Sequence, residues 1–129
     1  MKELTPPGVR EPFGHYAHGV EIPAAWRIVR TSGQLGINPD GSIPEDVFGQ
    51  ATVCFKNILE ILHAAGMNAA DVAHISAFVT HRDHMSEYMR ARDAFMCDVT
   101  RLPASTLVIV SGFTRPEFKV EVEVMAAAP

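Results

Sequence analysis

Near the C-terminus, Lys119-Val-Glu-Val-Glu-Val124 puts Val120, Val122 and Val124 on one face of an extended strand and Lys119, Glu121 and Glu123 on the other. Two carboxylates on one strand face need water or partners beside them, so that face lines a cleft, an interface or solvent. In a cleft, a carboxylate can position a water or shuttle a proton. On a solvated edge strand it does neither, and the residues alone leave both readings open. Histidine is the next candidate, because His15-x-x-His18 and His81-x-x-His84 each repeat at a spacing of three. Metal binding needs three or four convergent ligands and a supporting shell. Both pairs fall in loops or at strand edges and nothing brings them together, so ordinary loop histidines and no metal are expected. A Ser-His-Asp hydrolase has no support: Thr31-Ser32-Gly33-Gln34 lacks the glycine that a nucleophile elbow places two residues before its serine. Neither a dinucleotide fingerprint nor a phosphate loop is present, and no cofactor is expected.

The elements that must hold these residues read as follows. Residues 1–14, with Pro6, Pro7, Gly8, Pro12 and Gly14, predict an irregular lead-in. Tyr16–Ile22 and Trp26–Thr31 read as two strands turned at Pro23-Ala24-Ala25, which suggests an antiparallel hairpin. Ser32-Gly33-Gln34 ends or bulges the second strand. Asn38-Pro39-Asp40-Gly41 is a turn, with Pro presetting φ and Gly admitting positive φ. A first helix is predicted over Glu45–Ala65, with Ser42 or a neighbour near its cap, acids in its first turn and Gly66 stopping it. Its stripe is Val47, Ala51, Cys54, Phe55, Ile58, Leu59 and Leu62. Asp71–Thr80 reads as a strand marked by Val72, Ile75, Phe78 and Val79, with its register open. Met85–Val99 reads as a second helix presenting Tyr88, Met89, Arg92, Phe95 and Met96. Leu107–Val110 is apolar without alternation, as in a strand covered on both faces, and is followed by the alternating strand described above. The order β-β-α-β-α-β-β, with a hairpin at each end, predicts an α+β sandwich with its helices on one sheet face. The other face is then uncovered in a single chain, which predicts oligomerisation.

Bulk properties narrow the function classes. At 129 residues the chain fits one domain, residues 1–129, which should bury roughly two-thirds of its unfolded surface. A formal charge of −4 argues against a nucleic-acid-binding surface. Cys54 and Cys97 lie in helix-like patterns outside any Cys-x-x-Cys pair and read as reduced core thiols. There is no signal-peptide pattern and no apolar run of membrane-spanning length, so the cytoplasm is the expected compartment and no membrane is involved.

Four motifs together resemble the RidA (YjgF, reactive intermediate deaminase) family, also known as endoribonuclease L-PSP-like. They are Tyr16-Ala-His-Gly19, Thr31-Ser-Gly-Gln34 leading into Asn38-Pro-Asp-Gly41, Pro103-Ala-Ser-Thr106 and Val120-Glu-Val-Glu123. The similarity spans the chain from about Gly14. It implies a chorismate mutase-like fold, a homotrimer and clefts between subunits that bind small carboxylates. It also implies cofactor-free hydrolysis of 2-imino or 2-enamino acids to 2-oxo acids and ammonia. Carried over by motif, Tyr16 lines the cleft, Ser32 and Gly33 form its wall, and Glu121 orients the attacking water.

The departures from the family pattern bear on substrate. Active members read Pro-Ala-Arg-Ser, and their arginine clamps the substrate carboxylate; this chain has Ser105 there. A guanidinium offers a charged bidentate fork, a hydroxyl one neutral hydrogen bond. Met89 stands where the second helix commonly carries asparagine, and Leu107 where cysteine often follows the arginine motif. The resemblance therefore implies a less polar cleft without its usual anion clamp, and weak activity on 2-aminoacrylate. Arg90, Arg92 and Arg101 are the nearby charges, and each reads equally well as a surface ion pair. Two function classes remain: a deaminase-like hydrolase acting on C=N or enamine bonds, and a non-catalytic metabolite-binding trimer. Ribonuclease or translation-inhibitor activity, reported for some relatives, is disfavoured by the acidic charge.

Overall fold

The computed structural model describes residues 1–129. Its longest strand, β7 (Val120–Ala128), lies inside the sheet, and its alternation is realised: Val120, Val122 and Val124 are buried while Glu121 and Glu123 face the other way. Burying each valine contributes on the order of 1.5–3 kcal/mol, which fixes the facing, because a slip of one residue would drive both carboxylates into the core. One edge of β7 pairs antiparallel with β3 (Arg27–Arg30) and then β4 (Gln34–Leu35); the other pairs antiparallel with β5 (Val72–Val79). Strand β6 (Ala104–Ile109) runs parallel to β5 and forms the outer edge, giving the order β3-β7-β5-β6 with β4 also on β7.

Two helices cover one face. Helix α1 (Val47–Ala64) starts where the Asp46 carboxylate accepts the Gly49 N–H at 2.9 Å. It ends in a Schellman turn: Gly66 N–H donates to His63 O, Met67 N–H donates to Leu62 O, and Gly66 has φ +71°. Ala51, Cys54, Phe55, Ile58 and Leu62 pack on Ile75, Ala77, Val120, Val122 and Val124 in one buried cluster. Within it, burial pushes the Cys54 thiol up to about 12, as befits an inert core group. Helix α2 (Met85–Phe95) packs beside α1, with Phe55 and Phe95 stacked at 4.8 Å between centroids. The fully buried Gln50 joins α1 to the start of β7: its amide nitrogen donates to Pro44 O and Glu117 O, and its oxygen accepts the Lys119 N–H, all at 2.9 Å.

Several expectations are corrected. The residues preceding the family motifs are not wholly irregular, since Lys2–Leu4 is β1 and pairs with β2 (Gly19–Glu21) in a separate two-stranded sheet. The predicted N-terminal hairpin is therefore absent. β3 pairs with β7 instead, setting Val29 beside Ala126 against the core, a gain that a local hairpin could not supply. The C-terminal hairpin is absent too, because the loop after β6 carries the chain past β5 into the sheet interior. The apolar run in β6 is an edge, not a strand covered on both faces, and Val108 is 41% exposed. Helix α1 begins two residues later than predicted because Asp46 is its cap and not a first-turn acid. Helix α2 ends at Phe95, before Val99, and leaves Cys97 exposed outside the core. The Asn38–Gly41 turn and the break at Ser32-Gly33 are as expected, with Gly41 at φ +85° and its N–H on Asn38 O.

Candidate functional site

The cross-strand register decides which side each candidate faces. Ser105 aligns with Ile75 and Val124, and Leu107 with Ala77 and Val122, so both side chains point to the helix-covered face at the β6 edge. There α2 overhangs the edge and brings in Tyr88, Met89 and Arg92, neighbours at helical spacings of three and four. The segment before β2 closes the third side. Ala17 bridges to Ala104 and its N–H donates to Pro103 O at 2.8 Å, which seats Tyr16 above Ser105. The Tyr16 hydroxyl in turn accepts the Phe13 N–H at 3.2 Å, curling that loop over the opening. The result is a cleft of about 240 Å³ with Tyr16, Met89, Ser105 and Leu107 in its walls, together with Phe13, Gly14, Met85, Tyr88 and Arg92.

Ser32, Gly33 and Glu121 lie elsewhere. After β3, Thr31 breaks the ladder: its N–H donates to Val124 O and its hydroxyl accepts the Val124 N–H, both at 3.0 Å. The chain then passes so close to β7 that a Cβ at Gly33 would overlap the Glu121 carboxylate. Glu121 aligns with Phe78 and Val108 on the face that the helices leave open. Within one chain the seven expected site residues therefore form two groups on opposite faces of the sheet. One contains Tyr16, Met89, Ser105 and Leu107; the other contains Ser32, Gly33 and Glu121.

The structure also separates the three nearby arginines. Arg90 lies over the Phe48 ring at 4.0 Å from its centroid, away from the cleft. Arg101 is committed to backbone carbonyls, donating to Ala70 O at 2.8 Å and Val72 O at 2.7 Å. Arg92 is in the cleft and only 4% exposed. Its Nε and Nη2 both donate to Asp93 Oδ1, at 3.1 and 2.9 Å. The Tyr88 hydroxyl, also in the cleft, is buried beside the Ser105 hydroxyl but has no partner at hydrogen-bonding geometry. Burial raises its pKa well above the usual phenol value, with Arg92 and the Ser105 hydroxyl opposing the shift. Tyr88 was expected only as helix packing. The signal that it belongs to a site was its place one turn before an arginine in an otherwise apolar stripe.

Both histidine pairs have local partners. His81 Nδ1 accepts the Asp83 N–H at 3.1 Å and caps a short 3₁₀ turn, while His18 bonds the Arg10 carbonyl. No three metal-ligating side chains converge, and no helix is long and apolar enough to cross a membrane.

Comparison with known proteins agrees with this architecture. The family model described as Endoribonuclease L-PSP matches residues 8–128. The chain is 30% identical over 116 residues to the 2-iminobutanoate/2-iminopropanoate deaminase of Escherichia coli, covering 88% of each chain. It superimposes on the crystal structure of the YjgF gene product from E. coli with a TM-score of 0.75 and 27% identity, covering both chains fully. The E. coli TdcF structure with bound serine matches equally well, with a TM-score of 0.75, 26% identity and full coverage of both chains. Two helices on one face of this mixed sheet, and a family match spanning nearly all of it, place the chain in the RidA/YjgF family, with its chorismate mutase-like fold.

Proposed function

We propose that three copies of this chain assemble so that the Ser32–Gly33–Glu121 group of one subunit faces the Tyr16–Ser105 cleft of the next. The completed site hydrolyses an imine or enamine. The observation that carries this reading is the division of the site residues between two faces of one sheet: each chain holds two half-sites, and only a second copy can join them. The name of the 2-iminobutanoate/2-iminopropanoate deaminase relative and the serine in the TdcF structure support a small amino-acid-derived ligand.

The chemistry asks little of the protein. An iminium carbon is already electrophilic, so the site must hold it beside a water and manage one or two protons, an acceleration of about 10²–10⁴-fold. Glu121 accepts a hydrogen bond from the water and takes its proton as the oxygen bonds to carbon. Glu121 returns that proton to nitrogen and then accepts the hydroxyl proton as the C=O bond forms and the C–N bond breaks, releasing ammonia and an oxo compound. No cofactor is required. With Ser105 in place of a guanidinium, a carboxylate on β6 gains only one neutral hydrogen bond, so 2-aminoacrylate is expected to react slowly.

The experiment generates imino acids enzymatically and follows oxo-acid and ammonia release with and without the protein. Wild type should accelerate release for a substrate other than 2-aminoacrylate. Glu121→Gln should abolish the acceleration while ligand affinity, measured by calorimetry, changes less than about threefold. If Glu121→Gln retains full turnover, the carboxylate is not the water-positioning group. If wild type binds ligand but accelerates nothing, the chain is a non-catalytic binder.

A further inference from the structure

Two polar groups of the cleft have unmet hydrogen-bonding capacity: the buried Tyr88 hydroxyl and the side of the Arg92 guanidinium that opens to the cleft. Arg92 is almost fully buried, yet its guanidinium uses only the Nε/Nη2 edge, on one oxygen of Asp93; Nη1 makes no hydrogen bond within the chain. The Tyr88 hydroxyl lies on the same helix face, four residues earlier, buried and without a partner. A hydroxyl buried in this way is costly to leave unpaired, and the free side of the guanidinium is available to a ligand. A simple surface ion pair does not explain the arrangement. Asp93 is the exposed member of the pair, whereas the arginine turns inward to a wall it shares with Ser105. The Ser105 hydroxyl stands beside that of Tyr88 from the facing strand, and both can turn their protons to a ligand in the cleft.

We propose that Arg92, Tyr88 and Ser105 form an anion-binding subsite that takes the carboxylate of an organic acid. The acid's apolar side chain lies against Met85, Met89 and Leu107. A carboxylate fits because a planar guanidinium edge pairs with it through parallel N–H bonds, and neutral O–H donors can complete its lone pairs. An apolar substituent fits because, besides Gly14 and the Tyr16 ring, the remaining lining is methionine, leucine and phenylalanine. The charge thus comes from helix α2 instead of strand β6, which moves the anchored end of the ligand toward the helix. Longer acids than three-carbon ones then reach the reacting position. This assignment rests on the reading of the cleft as the substrate site, and binding measurements test it separately from turnover.

Calorimetry with 4-methyl-2-oxopentanoate, 2-oxobutyrate and the primary amide of the former provides the test. Wild type should prefer the branched acid over 2-oxobutyrate, and should bind the amide at least about tenfold more weakly than the acid. Arg92→Met should weaken acid binding about 10- to 100-fold without weakening the amide. Because Arg92→Met strips the partner from Asp93 and removes a nearly buried side chain, which could impair folding, Tyr88→Phe serves as the second variant: it removes only the hydroxyl. It should keep the melting temperature and weaken acid binding several-fold. Unchanged acid affinity in either folded variant, or equal affinity for acid and amide, overturns the subsite. Acid binding that depends on Arg92 with no imine turnover overturns the hydrolase reading alone. Unimpaired turnover of a carboxylate-bearing imine by Arg92→Met overturns the subsite alone.

Discussion

At the residue scale, two glycines show how the meaning of a close approach depends on what it meets. A Cβ at Gly33 would meet the end of the Glu121 side chain, which is free to swing away. A Cβ at Gly36 would lie 2.6 Å from Gln50 Cα, which is helix backbone. Gly33→Ala should therefore leave the melting temperature within about 2 °C of wild type and lower imine turnover at least tenfold, because the carboxylate is displaced. Gly36→Ala should destabilise the fold by about 1–3 kcal/mol, since α1 must shift off β4. Thermal melts and turnover on the two variants check the contrast. Equal effects of both substitutions on stability would show that Glu121 is wedged as firmly as the helix. The same scale explains the arginines. Sequence spacing offered Arg90, Arg92 and Arg101 alike; an aromatic ring and two backbone carbonyls occupy the first and last, and only Arg92 borders a cavity.

At the level of elements, β7 does most of the organising. Its inward valines bind the helices, its outward carboxylates define the open face, and its two edges recruit β3, β4 and β5 from distant parts of the chain. Beside Glu123 on that open face stands His74, which burial holds below its usual 6.5, with the Glu123 carboxylate opposing and Arg30 reinforcing the shift. Its ring nitrogens meet Ser76 Oγ at 3.3 Å and Thr106 Oγ1 at 3.4 Å. His84 is lowered as well, first by burial and then by His81 and Lys119. The sign follows from linkage. As pH falls through the unfolded value of 6.5, the unfolded chain takes up protons that the native histidines refuse. Stability is then lost until the native pKa values are reached. The melting temperature should be lower at about pH 5.5 than at about pH 7.5, on either side of the free-histidine value of about 6.5. His74→Gln should reduce the difference, and an unchanged difference would remove His74 as a source.

For the whole molecule, the open sheet face is the decisive feature. Ile28 is 59% exposed and Val108 41%, and Phe78 lies in the same cross-strand row as Val108 and Glu121. Apolar side chains interspersed with Arg30, His74 and Glu123 suit a specific subunit interface better than a free surface. A trimer should appear in sedimentation equilibrium. Val108→Asp should shift it toward monomer, because a charge would be buried without a partner. The same substitution should abolish turnover although Val108 is not assigned to the reaction, since in the proposed assembly each cleft is completed by a second chain. Full activity in a monomeric Val108→Asp protein would refute the division of the site between subunits.

The sequence by itself determined the family, the two helices, the inward valines of β7 and the absence of arginine at Ser105. These depend on local periodicity, turn chemistry and motif order, which are written along the chain. It did not determine strand neighbours. Pro23-Ala24-Ala25 looked like a hairpin turn, yet β3 gains more by burying Val29 on β7 than by pairing with β2. Likewise the apolar run of β6 could not reveal that it was an edge, since burial belongs to the assembly of strands and not to any one of them. The motifs named Glu121 and Ser105 as one site. Tertiary structure showed them on opposite faces, because facing follows from cross-strand register, and it picked out Arg92 and Tyr88 because an unmet donor is defined only by what surrounds it.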